Sequence, residues 1–153
     1  MILEYGDYQY PYSRQAFHAI ELAGQLLGGN VRFAFPHFPL IGIHPHALAA
    51  AAAAEAAARQ GRFWDCTSCC SAGERRSKTA TCAGYAVQLG LDVAASDRDK
   101  AGPAVLARIR RDLDSGRASG QVLAGATLFV DGVLHRGGYD PPTLLAALDV
   151  MAS

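Results

Sequence analysis

A chain of 153 residues, 50% hydrophobic and 18% charged, is long enough for one domain with its own core. Its 14 Lys and Arg balance 14 Asp and Glu, so the formal net charge is +0 and no long-range field draws it toward nucleic acid or acidic lipid. The longest apolar run, Ala47 to Ala54, falls far short of the roughly 20 residues that cross a bilayer, which excludes a membrane-spanning helix.

The opening "MILEYGD" has neither a basic leader nor a cleavable apolar segment. A cytoplasmic protein, or one from which a leader has been removed, is expected. Ile2 to Tyr8 predicts a strand. Ser13 can cap a helix whose apolar positions Phe17, Ile20, Ala23 and Leu27 keep the helical period until Gly28 and Gly29 stop it. "NVRFAFPHF" then predicts a second strand, placed at a sheet edge or ended there by Pro36 and Pro39. That order makes a parallel β-α-β unit.

"HPHALAAAAAAEAAARQG" predicts a helix with Pro45 near its first turn, a Glu55/Arg59 pair along it and Gly61 at its end. Tyr85, Ala86 and Leu89 before Gly90 mark a short helix. Pro103, Val105, Leu106, Ile109 and Leu113 mark another, ending near Gly116. "TLFVDGVLHRG" predicts a hairpin on an Asp131-Gly132 turn, and Asp140 caps a last helix carrying Leu144, Leu145 and Leu148 on one face. The expectation is a single α/β domain, 1–153. Its core, 1–40 and 119–153, runs β-α-β then β-β-α, around a helical insertion at 45–116.

Five strings, "LEYGDYQYPYSRQAF", "VRFAFPHFPL", "HPHALAAAAAAEAAARQGRFWD", "LGLDVA" and "AGATLFVDGVLHRGGYD", lie along the chain on both sides of residues 66–84. In this order they resemble the DsbA-like disulfide oxidoreductases, a thioredoxin fold with a helical subdomain inserted. The resemblance implies thiol-disulfide exchange on an extended peptide or protein substrate, without a cofactor. It also implies a redox pair at the strand-to-helix turn, a buried acid beneath it and a cis-proline loop beside it. Here the pair is Tyr10 and Ser13, in Tyr10-Pro11-Tyr12-Ser13, the acid is Glu4, and the loop reads Gly125-Ala126-Thr127 with no proline. A thiol at a helix N-terminus reacts as its thiolate, which neither a phenol nor a hydroxyl replaces. Cis peptides before other residues cost ~2.5–4 kcal/mol, so Gly125-Ala126 is expected trans. A degenerate member follows, inactive in exchange at the usual site, with Pro11, Tyr12 and residues 125–127 left to line a peptide groove. "YPYS" is also similar to the S-P-Y-S turn of kappa-class glutathione transferases and related isomerases, where a hydroxyl assists a glutathione thiolate. That is the rival enzyme reading.

All four cysteines lie in "DCTSCCSAGERRSKTATC", and nothing between Trp64 and Tyr85 is Leu, Ile, Val, Met or aromatic. Cys66, Cys69, Cys70 and Cys82 could ligate zinc, but their spacing lacks the second close pair of ordinary zinc modules, so no metal is expected. Cys66 and Cys69 also stand in C-x-x-C spacing, a displaced redox pair. A third reading, favoured over both, is translation in a shifted frame. A Cys codon read one nucleotide earlier after a pyrimidine becomes Leu, and one back-translation of residues 65–84 yields a leucine-rich amphipathic segment. On that reading residues 66–84 have no apolar face to bury and should pack poorly, leaving Trp64 and the alanine-rich helix exposed. His44 and His46 flank Pro45 without a visible third ligand and are expected to lie on the surface, while His37 and His135 are structural. Trp64 with Phe63 is read as a packing anchor.

Overall fold

A computed structural model describes residues 1–72 and 82–152. Strand β1 (Ile2–Tyr5) lies inside a four-stranded sheet, parallel to β2 (Phe33–Ala34) and antiparallel to β3 (Thr127–Val130). Strand β4 (Val133–Leu134) pairs antiparallel with β3 across the Asp131-Gly132 turn, giving the order β2-β1-β3-β4. Seven helices complete the described chain: α1 (Pro11–Leu26), α2 (Ala47–Ala58), α3 (Phe63–Ala72), α4 (Cys82–Gln88), α5 (Val93–Lys100), α6 (Pro103–Ala118) and α7 (Pro141–Ala152). The parallel β1-α1-β2 unit, the edge position of β2, the hairpin and the last helix follow the sequence reading.

Alternation along the strands divides the core. Ile2 and Leu128 turn to one face and pack with Ala16, Ala19 and Ile20 of α1 and Leu144 of α7. Tyr5 and Phe129 turn to the other, against Phe38 and Val122. The third cluster joins Phe17 and Phe35 to buried alanines of α2, with Val105 and Ile109 of α6. Alanines admit close helix approach, so α2 is buried along most of its length, and the expectation that it would be exposed is overturned.

Several boundaries differ from the sequence reading for local reasons. The second strand shrinks to two residues, because Pro36 has no N–H to donate and only an isolated bridge, Gly6 to His37, continues the pairing. Helix α2 begins at Ala47, with Pro45 left in the preceding turn, where the His44 N–H bonds the Leu40 carbonyl. Gly116 does not end α6. A Cβ there would stand 2.8 Å from the Phe38 ring and 3.2 Å from Tyr5, so the glycine lets the helix lie against both, and the chain turns at Gly120, φ 66°.

Helix α3 is the larger correction. Residues 66–72 are helical, and Cys66, Thr67, Cys70 and Ser71 make a buried face against α2 and Tyr8. A free cysteine packs as a small hydrophobe, and Thr67 satisfies its hydroxyl on the Tyr8 phenol at 2.9 Å, so a face without leucine still buries. Trp64 is 44% exposed, in line with the expectation, and stacks on Phe33 at 5.0 Å. The rest of the expected poor packing falls on residues 73–81, which lie outside the described residues.

Candidate functional site

The period of two that sends Ile2 into the core also turns Glu4 toward the first turn of α1. Pro11 opens that helix with Tyr10 as the flanking residue, and no side chain caps it. Ser13 is therefore the third helical residue and not the cap expected from sequence. Its side chain points inward instead, 2% exposed.

The Ser13 hydroxyl is saturated. It donates to Glu4 Oε1 at 2.9 Å and accepts the N–H of Asp7 at 3.0 Å and of Ala126 at 3.1 Å. The pair position, the acid beneath it and the loop beside it thus meet at one oxygen. Glu4 is fully buried, and burial pushes its carboxyl up to about 8, against the opposing hydrogen bond from Ser13. The acid is neutral near pH 7, and among the described residues its Oε2 has no hydrogen-bond partner.

The loop is shaped without proline. No peptide bond of the described residues is cis, and Ala126 turns the chain by adopting φ 60°, a left-handed conformation unusual for a residue with a Cβ. Gly125 is held against Asp7, where a Cβ would stand 2.8 Å from the aspartate Cβ. Both backbone groups of Ala126 are engaged internally, since its carbonyl accepts the Tyr139 hydroxyl. Thr127 enters β3 opposite Tyr5 and donates its hydroxyl to the Ala124 carbonyl at 2.9 Å.

Two residues that the sequence did not single out, Asp7 and Tyr139, and one that it placed on the surface, His44, complete the site. Asp7 is buried, and its carboxylate accepts the N–H of Gln9 at 2.8 Å and of Leu40 at 2.8 Å, with His44 Nδ1 at 2.8 Å. His44 is thus tied to the site and is not the plain surface residue expected, whereas His46 is exposed. Tyr139 sits before α7, its phenol raised by burial and then by Glu4 and Tyr10. Tyr10 lies 5.3 Å from Tyr12 and 5.7 Å from His44 between ring centroids, and Tyr12 is 54% exposed.

The cysteines lie elsewhere. Cys66, Cys69 and Cys70 lie on α3, outside any disulfide. A hydrogen bond from Cys70 lowers the Cys66 thiol against its burial, and burial raises that of Cys69. Residues three or four apart inside a helix hold their Cβ atoms about 5–6 Å apart, beyond the roughly 3.5–4.5 Å of a disulfide, so the C-x-x-C spacing forms no poised pair. Among the described residues, no three His, Cys, Asp or Glu side chains gather as a metal site. The side chain of Cys82 lies outside them. His37, fully buried, bonds Glu55 of α2 at 2.9 Å and gives its N–H to Asp112 of α6 at 2.9 Å, in keeping with a structural role.

No family model matches the chain. Among curated proteins it is 35% identical over 150 residues to Na(+)/H(+) antiporter NhaA 1 of Mycolicibacterium gilvum, covering 97% of this chain and 24% of that protein. It is 37% identical over 148 residues to Na(+)/H(+) antiporter NhaA of Herminiimonas arsenicoxydans, covering 97% and 23%. The chain spans about a quarter of the length of the curated relatives it matches. Among solved structures, a thioredoxin-like oxidoreductase from Silicibacter pomeroyi superposes with TM-score 0.84 at 25% identity, over 99% of this chain and 85% of that one. DsbA from Xylella fastidiosa does so with TM-score 0.76 at 16% identity, over 99% and 84%.

Proposed function

The chain is a DsbA-like thioredoxin-fold protein, and on that premise we propose that it binds an extended peptide segment without exchanging disulfides at the usual site. The observation that carries this is the Ser13 oxygen, saturated by Glu4, Asp7 and Ala126 where the family places a thiol. A hydroxyl locked in this way neither attacks a sulfur nor leaves one. Tyr10, in the position of the attacking thiol, forms no sulfur bond. Glu4 keeps the buried place of the family acid with no thiol to serve.

Binding survives the loss of chemistry because the apolar rim does not depend on sulfur. Tyr12 is exposed at the turn, Ile43 precedes the His44 that contacts Tyr10, and Leu123 projects from the loop before Gly125. Exposed large apolar side chains at the start of α1 and on two loops fit a peptide-docking rim. The rival reading, glutathione held by a hydroxyl, would have to use Tyr10, because Ser13 gives its hydrogen to Glu4. The curated relatives carry the name of an ion antiporter. No helix of the described residues is long and apolar enough to cross a membrane.

The experiment is a disulfide reduction and dithiol oxidation assay with the intact chain, alongside a version in which Cys66, Cys69, Cys70 and Cys82 are Ser. Wild type should stay at background, and any residual rate should disappear with the cysteines. The double variant Tyr10→Cys with Ser13→Cys should recover a little activity. Robust turnover by the cysteine-free chain would refute the proposal, and retention on immobilised glutathione would favour the rival.

A further inference from the structure

On one side the sheet ends at β2, which pairs with β1 alone. The carbonyls of Arg32 and Pro36 accept the N–H of Ile2 at 2.8 Å and of Gly6 at 3.0 Å, so the even-numbered residues here turn their backbone groups toward β1. Those of Val31 and Phe33 therefore face outward, and among the described residues none of these four groups has a partner. Val31 and Phe33 are half-buried and Arg32 is exposed. Farther along, Phe35 is buried and His37 gives its N–H to Asp112 of α6 at 2.9 Å, so the open edge ends at Phe33.

Beside this edge lies a groove of about 300 Å³ between α1, β2 and α3, with Phe17, Ile20, Gly24, Val31, Phe33 and Trp64 along it. Gly24 leaves it open, since a Cβ there would meet nothing within 4 Å. Glu21, the one acid on its wall, already holds the Ser68 hydroxyl at 3.1 Å. On the opposite face of β2, Arg32 makes no ion pair among the described residues. Unpaired backbone groups two residues apart take an extended chain, the groove takes apolar side chains on one face, and Arg32 takes an acid on the other. A second copy does not fit. Pairing Val31 with Phe33 across a two-fold axis sets Arg32 opposite Arg32, and pairing Phe33 with Phe33 sets Val31 against buried Phe35. Pairing Val31 with Val31 runs Phe33 onto the turn at Gly29, φ 79°. We infer that the edge at residues 31–33 takes up an extended segment of a partner polypeptide as an added strand, with the pattern apolar, acidic, apolar.

This edge lies on the other side of β1 from the Ala126 loop and owes nothing to the peptide rim at Tyr12. The test uses the intact chain and the capped heptapeptide STVELTS, whose valine and leucine face the groove while its glutamate meets Arg32. Trp64 is the single tryptophan of the chain, so a saturable change in its fluorescence reports binding, and hydrogen exchange followed by NMR should slow at the Val31 and Phe33 amides. The peptide STVKLTS should bind ~10-fold more weakly, and Arg32→Glu should reverse that preference. N-methylation of the peptide's leucine, which removes an N–H and keeps the side chain, should also weaken binding ~10-fold. Gly24→Leu fills the groove with a better helix former and should abolish the fluorescence change without lowering thermal stability. Absence of binding, equal binding of the N-methyl peptide, an unreversed preference in Arg32→Glu, or protection at Gly125 in place of Val31 and Phe33 overturns the inference. A chain that sediments as a dimer and is dissociated by the peptide overturns it too, and assigns the edge to a second copy.

Discussion

Removing the Ser13 hydroxyl strands three buried groups at once: the N–H of Asp7, the N–H of Ala126 and a Glu4 oxygen. Ser13→Ala should therefore cost about 2–4 kcal/mol in urea unfolding, far more than an ordinary serine, and a loss within experimental error would deny the clasp. Ala126→Pro, the substitution that would restore the family's loop, should also destabilise. Proline cannot reach φ 60° and has no N–H for Ser13, so the variant folds only by rebuilding the loop. Glu4, Tyr10, Ser13 and Ala126 were legible as positions because alternation, the strand-to-helix turn and the quoted strings place them. Asp7, His44 and Tyr139 were not, since their contacts join residues that no spacing relates, such as Asp7 with His44 and Tyr139 with Ala126.

Among the elements, α3 and α6 separate propensity from packing. Alanine normally stabilises a helix interior by about 1 kcal/mol over glycine, yet Gly116→Ala should destabilise α6. Its new Cβ would press on the buried Phe38 ring at 2.8 Å, and overpacking costs ~1–3 kcal/mol. Thermal unfolding reads the sign directly. Helix α3 was missed in sequence because its core-facing positions are Cys66, Thr67, Cys70 and Ser71, residues that carry no hydrophobic period. If that face is packed as described, iodoacetamide should label Cys69 first in the native protein. Cys66, 2% exposed, and Cys70, 9% exposed, should react only as the domain unfolds. Peptide mapping by mass spectrometry separates the three sites, and equal native labelling would return α3 to the loosely packed state that the cysteine-rich string predicts.

Across the whole molecule, two acids, Glu4 fully buried and Glu55 partly buried, act on stability in opposite pH ranges. Glu55, the acid of the alanine-rich α2, ties that helix to the sheet through His37. Burial opposes its charge, but the His37 hydrogen bond, the charge of His37 and then Arg108 and Arg111 win, so its carboxyl lies below 4.5. A depressed acid contributes stability above its unfolded value that is lost as pH falls through its folded value. Glu4 has the opposite sign. Its folded value of about 8 exceeds the unfolded 4.5, so the native state holds a proton that the unfolded chain has released, and stability falls as pH rises between those values. A shift of that size corresponds to several kcal/mol, a drop of roughly 10 °C in Tm for a domain of this length. Thermal stability should therefore peak near pH 5 and decline toward pH 8. Glu4→Gln should remove the alkaline decline, Glu55→Gln should flatten the acid one, and the two effects should add because the residues share no hydrogen-bond partner. Calorimetry of wild type and both variants from pH 3 to 9 makes the test. A wild-type Tm constant between pH 5 and pH 8 would mean that Glu4 is charged in the folded protein, and the neutral acid beneath Ser13 would have to be abandoned.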